Sequence, residues 1–297
     1  MKDLSFPGLG LQFHVDPVAV TILGRDIYWY GIIIALGFLL AVTFCLHHTK
    51  DFGIKNDDLL DMLIFATPAS IIGARLYYVI FYLDLFRNSD GSLNLAKMIR
   101  IHDGGMAIYG SILAAVLVAW IVMRVKKVPF LAMADLGAFG LLIGQCIGRW
   151  GNFVNVEAFG EETNLPWRMG IMQRIDGAFK YTEVHPTFLY ESLWNLLGFF
   201  LLLFLLKKGY RKFDGMIFFS YIAWYGFGRA LIEGLRTDSL YFFATGLRVS
   251  QVLGVVSAVA ALIYLIYRFR KQPDQKFLYV NKTKLEREEP NDGSDHP

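Results

Sequence analysis

Seven stretches of this chain are apolar for about 18–24 residues each, and that repetition limits the possible fold more than any other feature. They fall at 28–46, 59–82, 105–123, 130–148, 187–206, 215–232 and 249–267. An α-helix rises about 1.5 Å per residue, so roughly 20 apolar residues cross a hydrocarbon core of about 30 Å. In lipid every backbone N–H and C=O must be satisfied within the structure, and for runs of this length that means helices. The expected fold class is an all-α polytopic membrane protein: seven transmembrane helices with a small extracytoplasmic element. Tyr28, Trp29, Tyr30, Tyr77, Tyr78, Trp150 and Tyr190 lie near the ends of the runs, as an interfacial aromatic belt requires.

The formal net charge of +3 says little, but the placement of the cations says more. Lys50 and Lys55 follow the first run, and Arg124, Lys126 and Lys127 follow the third. Lys207, Lys208, Arg211 and Lys212 follow the fifth, and Arg268, Arg270 and Lys271 follow the seventh. The positive-inside rule makes these loops cytoplasmic, which sets the N-terminus outside and the C-terminus in the cytoplasm. Residues 1–27 then form an extracytoplasmic N-terminal segment without the apolar region of a signal peptide, extended over 15–22. A transmembrane catalytic domain covers 28–267 and carries an extracytoplasmic insertion at 150–186, with a hairpin turn at 175–177. The charged stretch 268–297 reads as a disordered cytoplasmic tail.

Cys45 and Cys146 both fall in apolar runs and read as packing residues, not as a disulfide framework. The histidines show no ligand spacing beyond the adjacent His47 and His48, so neither a metal nor any other cofactor is expected. No internal repeat is visible, which counts against an inverted-repeat transporter.

Several arginines are not explained by topology. Residues 144–160 read GQCIGRWGNFVNVEAFG, which puts Arg149, Asn152, Asn155 and Glu157 within nine positions at the end of an apolar run. A charge near the bilayer centre costs roughly 2.5–3.5 kcal/mol on insertion scales, so Arg149 either snorkels to the headgroups or serves a site. Arg75 poses the same choice two turns from the outer end of the second run. Gly104 and Gly105, in HDGGMAIYGS, open the third run with free N–H groups suited to an anion. In HPTFLYES, Pro186 suits a first helical turn, with Tyr190 and Glu191 just inside it. Tyr225, Arg229, Glu233 and Arg236 share one helix face, and Glu233 there can hold a guanidinium while its free edge meets a ligand. All these groups belong on the outer side. A set of arginines at that leaflet fits an anionic lipid headgroup, because guanidinium binds phosphate bidentately and stays charged at any depth.

The segment GRWGNFVNVEAFG at 148–160 closely resembles the signature of prolipoprotein diacylglyceryl transferases. DGGMAIYGS, HPTFLYE and YGFGRALIEGLR match in the same order, so the resemblance covers about residues 28–267. It implies transfer of the diacylglyceryl group from phosphatidylglycerol to the lipobox cysteine thiol of a preprolipoprotein. A thioether forms and glycerol phosphate is released. Carried onto this chain, Arg149 and Arg229 hold the phosphate, Asn152 hydrogen-bonds the headgroup, and Glu157 and Glu233 orient the arginines. Tyr30 and Tyr225 line the site, Gly160 allows a backbone turn, and Arg236, Gly104, Gly105 and His185 complete the substrate-binding set. Many members have a histidine where this chain has Tyr109. A tyrosine with a pKa near 10 is a poor base, so Tyr109 is expected to bind through its hydroxyl, with arginine electrostatics as the main catalytic term. If a base is needed, His102, His185 or a glutamate would supply it.

Other classes predict different features. A transporter needs access from both sides, whereas the arginines here lie outward. A phosphatidyl-type transferase or lipid phosphatase needs a metal-binding aspartate set or a His/Arg/Lys constellation, and neither is in the sequence. A non-catalytic lipoprotein-binding membrane protein would share the motifs but form no product. The expected partners are phosphatidylglycerol, a preprolipoprotein lipobox peptide and the membrane, with no nucleic acid and a monomeric state. The expected location is the bacterial cytoplasmic (inner or plasma) membrane, multi-pass, with the active site toward the outer leaflet.

Overall fold

In the computed structural model the described residues are 2–88, 90–101, 104–175, 177–241 and 246–288. The chain's own contacts divide it into two compact units: Met1–His48 with Asp135–Leu278, and Thr49–Ala134 with Tyr279–Pro297. Each is taken by itself.

The first unit opens with short strands. β1 (Lys2–Phe6) and β2 (Leu11–Val15) pair antiparallel, and β3 (Val18–Ile22) pairs with β4 (Arg25–Tyr28) as a separate ribbon. β4 runs directly into α1 (Trp29–His48). Far along the chain, β5 (Met169–Ile175) and β6 (Ala178–Val184) form the expected hairpin. β1 adds to β5 with Leu4 opposite Ile171, which gives a four-stranded sheet in the order β2-β1-β5-β6. Alternate residues point to one face, so Leu4, Phe6, Met169, Ile171 and Val184 form a core with Phe188, joined by Phe153, Val156, Phe159 and Leu189. Burial of each such side chain stabilises the fold by roughly 1.5–3 kcal/mol. The sheet thereby fastens the end of α5 (Phe130–Asn155) to the start of α6 (Thr187–Lys207).

α6, α7 (Met216–Glu233) and α8 (Val249–Arg270) complete this unit. Trp194 of α6 and Trp224 of α7 stack with ring centroids 4.2 Å apart. Each indole N–H donates to the other residue's backbone carbonyl, at 3.0 and 2.9 Å. The two rings lie over Gly228 and Gly198, where any Cβ would collide with them. At the opposite end of α7, Asp135 of α5 is fully buried and accepts from Arg211 Nε, Gly215 N and Phe218 N at 2.8–2.9 Å. Gly215 has no side-chain cap of its own, so the free N–H groups of α7 are capped by a carboxylate from another helix.

In the second unit α2 (Asn56–Phe81) and α4 (Ile108–Val125) pack together. Pro68 lies inside α2. The segment between them holds the short α3 (Leu95–Ile99), and α9 (Tyr279–Glu288) packs beside Thr49–Phe52.

The protein is mostly helical, and two expectations need revision. It is not all-α: among the described residues six strands form two sheets, one of which pairs an N-terminal strand with a hairpin more than 150 residues away. Six helices among the described residues are long and apolar enough to cross a membrane, where seven were expected. α7 does not qualify by composition, since Arg229 and Glu233 sit in its last turns with Tyr221, Trp224 and Tyr225 before them. The stretch from 268, expected to be a disordered tail, contains the end of α8 and all of α9, with Val280 and Thr283 meeting the backbone bend at Gly53. Residues 289–297 lie outside the described residues.

Candidate active site

Three helix ends in the first unit bring the charged groups together. Arg149 and Asn152 stand one turn apart near the end of α5, Glu191 is in the second turn of α6, and Arg229 and Glu233 are in the last turns of α7. Glu191 is the hub. Its side chain is 5% exposed, with Oε2 2.5 Å from Arg149 Nη2 and Oε1 accepting from Arg229 Nη1 at 2.9 Å. Arg236 Nη1 approaches Oε1 to 3.6 Å. A buried carboxylate is tolerated when it is paired, and this one is paired with guanidiniums from two helices.

The arginines are not equivalent. Arg229 is held twice: by Glu191, and by Glu233 Oε2 2.6 Å from Nη2, a contact that is an ion pair without hydrogen-bond alignment. Arg236 is clasped bidentately by Asp238, with Nε to Oδ1 at 2.9 Å and Nη2 to Oδ2 at 2.7 Å. Its donors are largely occupied, so the substrate-binding role expected for it does not follow from its geometry. Arg149 has Glu191 as its one partner among the described residues, and its side chain is 20% exposed. Its remaining fork is open to a ligand.

Asn152 donates to Glu157 Oε1 at 3.1 Å, whereas the carboxylate in contact with Arg149 is that of Glu191. Tyr30, in the first turn of α1, lays its ring against Gly151, and Glu157 and Arg149 are the charges that act on it. Tyr225 stacks on Tyr221, with centroids 5.8 Å apart, and Tyr221 accepts from Gln145 Nε2 at 2.9 Å.

The motif's loop is tightly tied. Val156 N bonds Phe153 O and Glu157 N bonds Asn152 O, closing α5 with a double turn whose left-handed residue is Val156, at φ 51°. Glycine usually takes that position, and Ala158 follows at φ 56°. Val156 and Ala158 thus carry the left-handed backbone ahead of Gly160. Gly160 instead joins two strands of chain, pairing with Arg236 as a β-bridge and donating to His185 O at 2.9 Å. A Cβ there would collide with His185 Cβ and Leu235 O. Thr187 Oγ1 donates to Ala158 O, and Glu161 N donates to Leu235 O. Arg248 reaches the Glu233 carbonyl and Glu161. The His185 Nδ1 lies 3.1 Å from Tyr190 Oη, which accepts from Trp167 Nε1 at 2.8 Å.

Tyr109, Gly104 and Gly105 belong to the second unit. Tyr109 is in the first turn of α4 and half-exposed. Gly104 and Gly105 have φ of 79° and 74°, and their carbonyls accept from Arg75 Nη1 at 2.6 and 2.9 Å. Arg75 also donates to Met98 O and Lys97 O, both at 2.8 Å. Its guanidinium neither snorkels nor waits for phosphate; it satisfies four carbonyls of the segment between α2 and α4. His102 lies outside the described residues.

The sequence profile of the prolipoprotein diacylglyceryl transferase family matches residues 17–267. A phosphatidylglycerol–prolipoprotein diacylglyceryl transferase of Finegoldia magna is 45% identical over 258 residues, covering 87% of this chain and 97% of that protein. Proteins of the same name from Listeria innocua and Clostridioides difficile are 44% and 41% identical, over 88% and 86% of this chain and 92% and 97% of theirs.

Proposed function

The chain belongs to the prolipoprotein diacylglyceryl transferase family, and from that premise we propose how its residues carry the reaction. It is a transferase that moves the diacylglyceryl group of phosphatidylglycerol onto a prolipoprotein, the first step of lipoprotein maturation. The lipobox cysteine's thiol proton passes to the departing phosphate, directly or through water, and its sulfur attacks the glycerol carbon bonded to the phosphate oxygen. The C–O bond breaks, its electron pair stays with the phosphate oxygen, a thioether forms and glycerol phosphate departs.

A free thiol is only a few per cent thiolate at neutral pH, and the departing phosphate gains negative charge. Fixed cations that meet this charge lower the barrier most when they need no rearrangement at the moment of reaction. The observation that carries the reading is Glu191, which fixes Arg149 and Arg229 in one place while leaving most of the Arg149 fork open. Arg149 is the phosphate grip, Arg229 stabilises developing charge, and Glu191 and Glu233 position them. Asn152, steadied by Glu157, hydrogen-bonds the headgroup. Tyr30 and Tyr225 line the site, Gly160 and His185 shape its floor, and Tyr109 contributes a hydroxyl to substrate, a role taken from the motif match alone.

α7 is the seventh span, despite its polar turns. The cation pattern supports an N-terminus and β2-β1-β5-β6 sheet outside and a C-terminus inside, with the site facing the outer leaflet of the bacterial cytoplasmic membrane. The enzyme works as a monomer and needs no nucleic acid. Purified protein in detergent, given phosphatidylglycerol and a lipobox peptide, should yield thioether-linked peptide and glycerol phosphate in equal amounts. Folded protein that forms neither product would refute the reading.

A further inference from the structure

The β3–β4 ribbon combines two features that a water-facing hairpin avoids. Leu23 stands at its tip with φ 50°, beside Gly24 at φ 74°, in the two-residue turn. That backbone is the one Asn-Gly or Asp-Gly prefers, and a leucine is strained there. The leucine is also 98% exposed, so no contact among the described residues compensates the strain.

The second feature is a sidedness that faces nothing. Cross-strand partners are Ile22 with Arg25, Thr21 with Asp26, and Val20 with Ile27. Side chains alternate along a strand, so Val20, Ile22, Ile27 and Arg25 share one face while Thr21 and Asp26 share the other. The polar face closes on itself, with Thr21 Oγ1 donating to Asp26 Oδ1 at 2.6 Å. The apolar face is open: Val20 is 44%, Ile22 52% and Ile27 38% exposed. An isolated two-stranded ribbon is marginal in water, and among the described residues none covers the apolar face of this one.

What covers that face is given by what the ribbon is attached to. β4 ends at Tyr28 and α1 begins at Trp29, with no intervening residue. α1 is long and apolar enough to cross a membrane, and it displays Ile32, Ile34, Leu36, Phe38 and Leu39 outward. Strands of four or five residues are about 15 Å long, so the tip cannot leave the neighbourhood of the bilayer surface. Exposed Tyr28 and Trp29 at the base are interfacial residues, and Arg25 on the apolar face can reach lipid phosphates while its stem stays apolar.

We propose that the β3–β4 ribbon is a lipid-facing paddle: Val20, Ile22, Ile27 and the tip Leu23 rest in the bilayer interface, and Thr21 with Asp26 faces water. The partner is the lipid surface, and the paddle anchors the α1 end that carries Tyr30.

Spin labels on single-cysteine variants L23C, I22C and T21C, in phosphatidylglycerol-containing nanodiscs, test this directly. The parent chain, whose Cys45 and Cys146 are buried and half-buried, serves as the blank. Labels at 22 and 23 should collide more with oxygen than with a water-soluble nickel chelate, and the label at 21 should show the reverse. All three open to nickel would place the ribbon in water and overturn the proposal. All three shielded from both reagents would mean a protein covers the ribbon, which overturns it equally.

Discussion

Arg149 Nη2 lies 2.5 Å from Glu191 Oε2, and the other oxygen of the same carboxylate holds Arg229. One buried acid thus joins the ends of three helices, and the first prediction concerns it. Glu191→Gln keeps the size and removes the charge, so both guanidiniums lose their fixed reference. The kcat/KM for phosphatidylglycerol with a lipobox peptide should fall about 100-fold or more, the usual loss when an electrostatic stabiliser is disturbed. A loss smaller than about threefold, in folded protein, would leave Glu191 without the assigned role.

Arg149 and Arg236 should separate in kinetics. Arg149→Lys keeps a charge but loses the fork, and kcat/KM should fall by about 10–100-fold. Arg236→Lys disturbs a guanidinium already occupied by Asp238, so its activity should stay within about threefold of the parent while thermal stability drops. Equal kinetic losses would refute the division.

The same clasp gives a pH dependence. The hydrogen bond from Arg236 holds the Asp238 carboxyl below the usual carboxylate range. A carboxyl depressed in the folded state binds protons more weakly there than in the unfolded chain. Its contribution is therefore full above the unfolded value of about 4 and is lost as pH falls through the folded value. The Tm difference between parent and Asp238→Asn should be constant from about pH 6 to 8 and shrink below about pH 4. A difference that grows on acidification would contradict this.

Tyr109→Phe should reduce kcat/KM by no more than about 10-fold, since one hydroxyl hydrogen bond is worth about 0.5–1.5 kcal/mol. If it abolishes transfer as fully as Arg149→Ala, with folding intact, a binding-only hydroxyl is excluded.

Gly160→Ala adds a methyl where His185 and the Leu235 carbonyl already stand. The overpacking should cost about 1–3 kcal/mol, read as a lowered Tm in detergent. An unchanged Tm would show that the loop can give way.

The membrane helices and the Tyr225–Arg229–Glu233 stripe were legible because helix period and span length are local properties of sequence. Glu191 was not identified as the hub, although the same rule that marked Arg149 applies to any ionisable residue inside an apolar run. The four-stranded sheet left little trace, since Leu4 and Ile171 meet across most of the chain and each strand is short. The left-handed turn at Val156 had no signal at all, because β-branched residues ordinarily refuse that conformation. Val156 N and Glu157 N close the turn on the Phe153 and Asn152 carbonyls, and the chain beyond it is held where Thr187 Oγ1 donates to Ala158 O and the carbonyls of His185 and Leu235 accept from Gly160 N and Glu161 N.

The paired tryptophans of α6 and α7 have a consequence for lipid affinity. Trp194 is three residues beyond Glu191, and Gly228, on which it rests, immediately precedes Arg229. Sliding one helix past the other by a single turn would break both indole hydrogen bonds and drive both rings off their glycines at once. The two helices are therefore locked in register, and the carboxylate and the guanidinium meet before any lipid arrives. Ordering entropy that an arriving headgroup would otherwise have to overcome has already been lost during folding, so its binding energy remains free to act on the reacting bond.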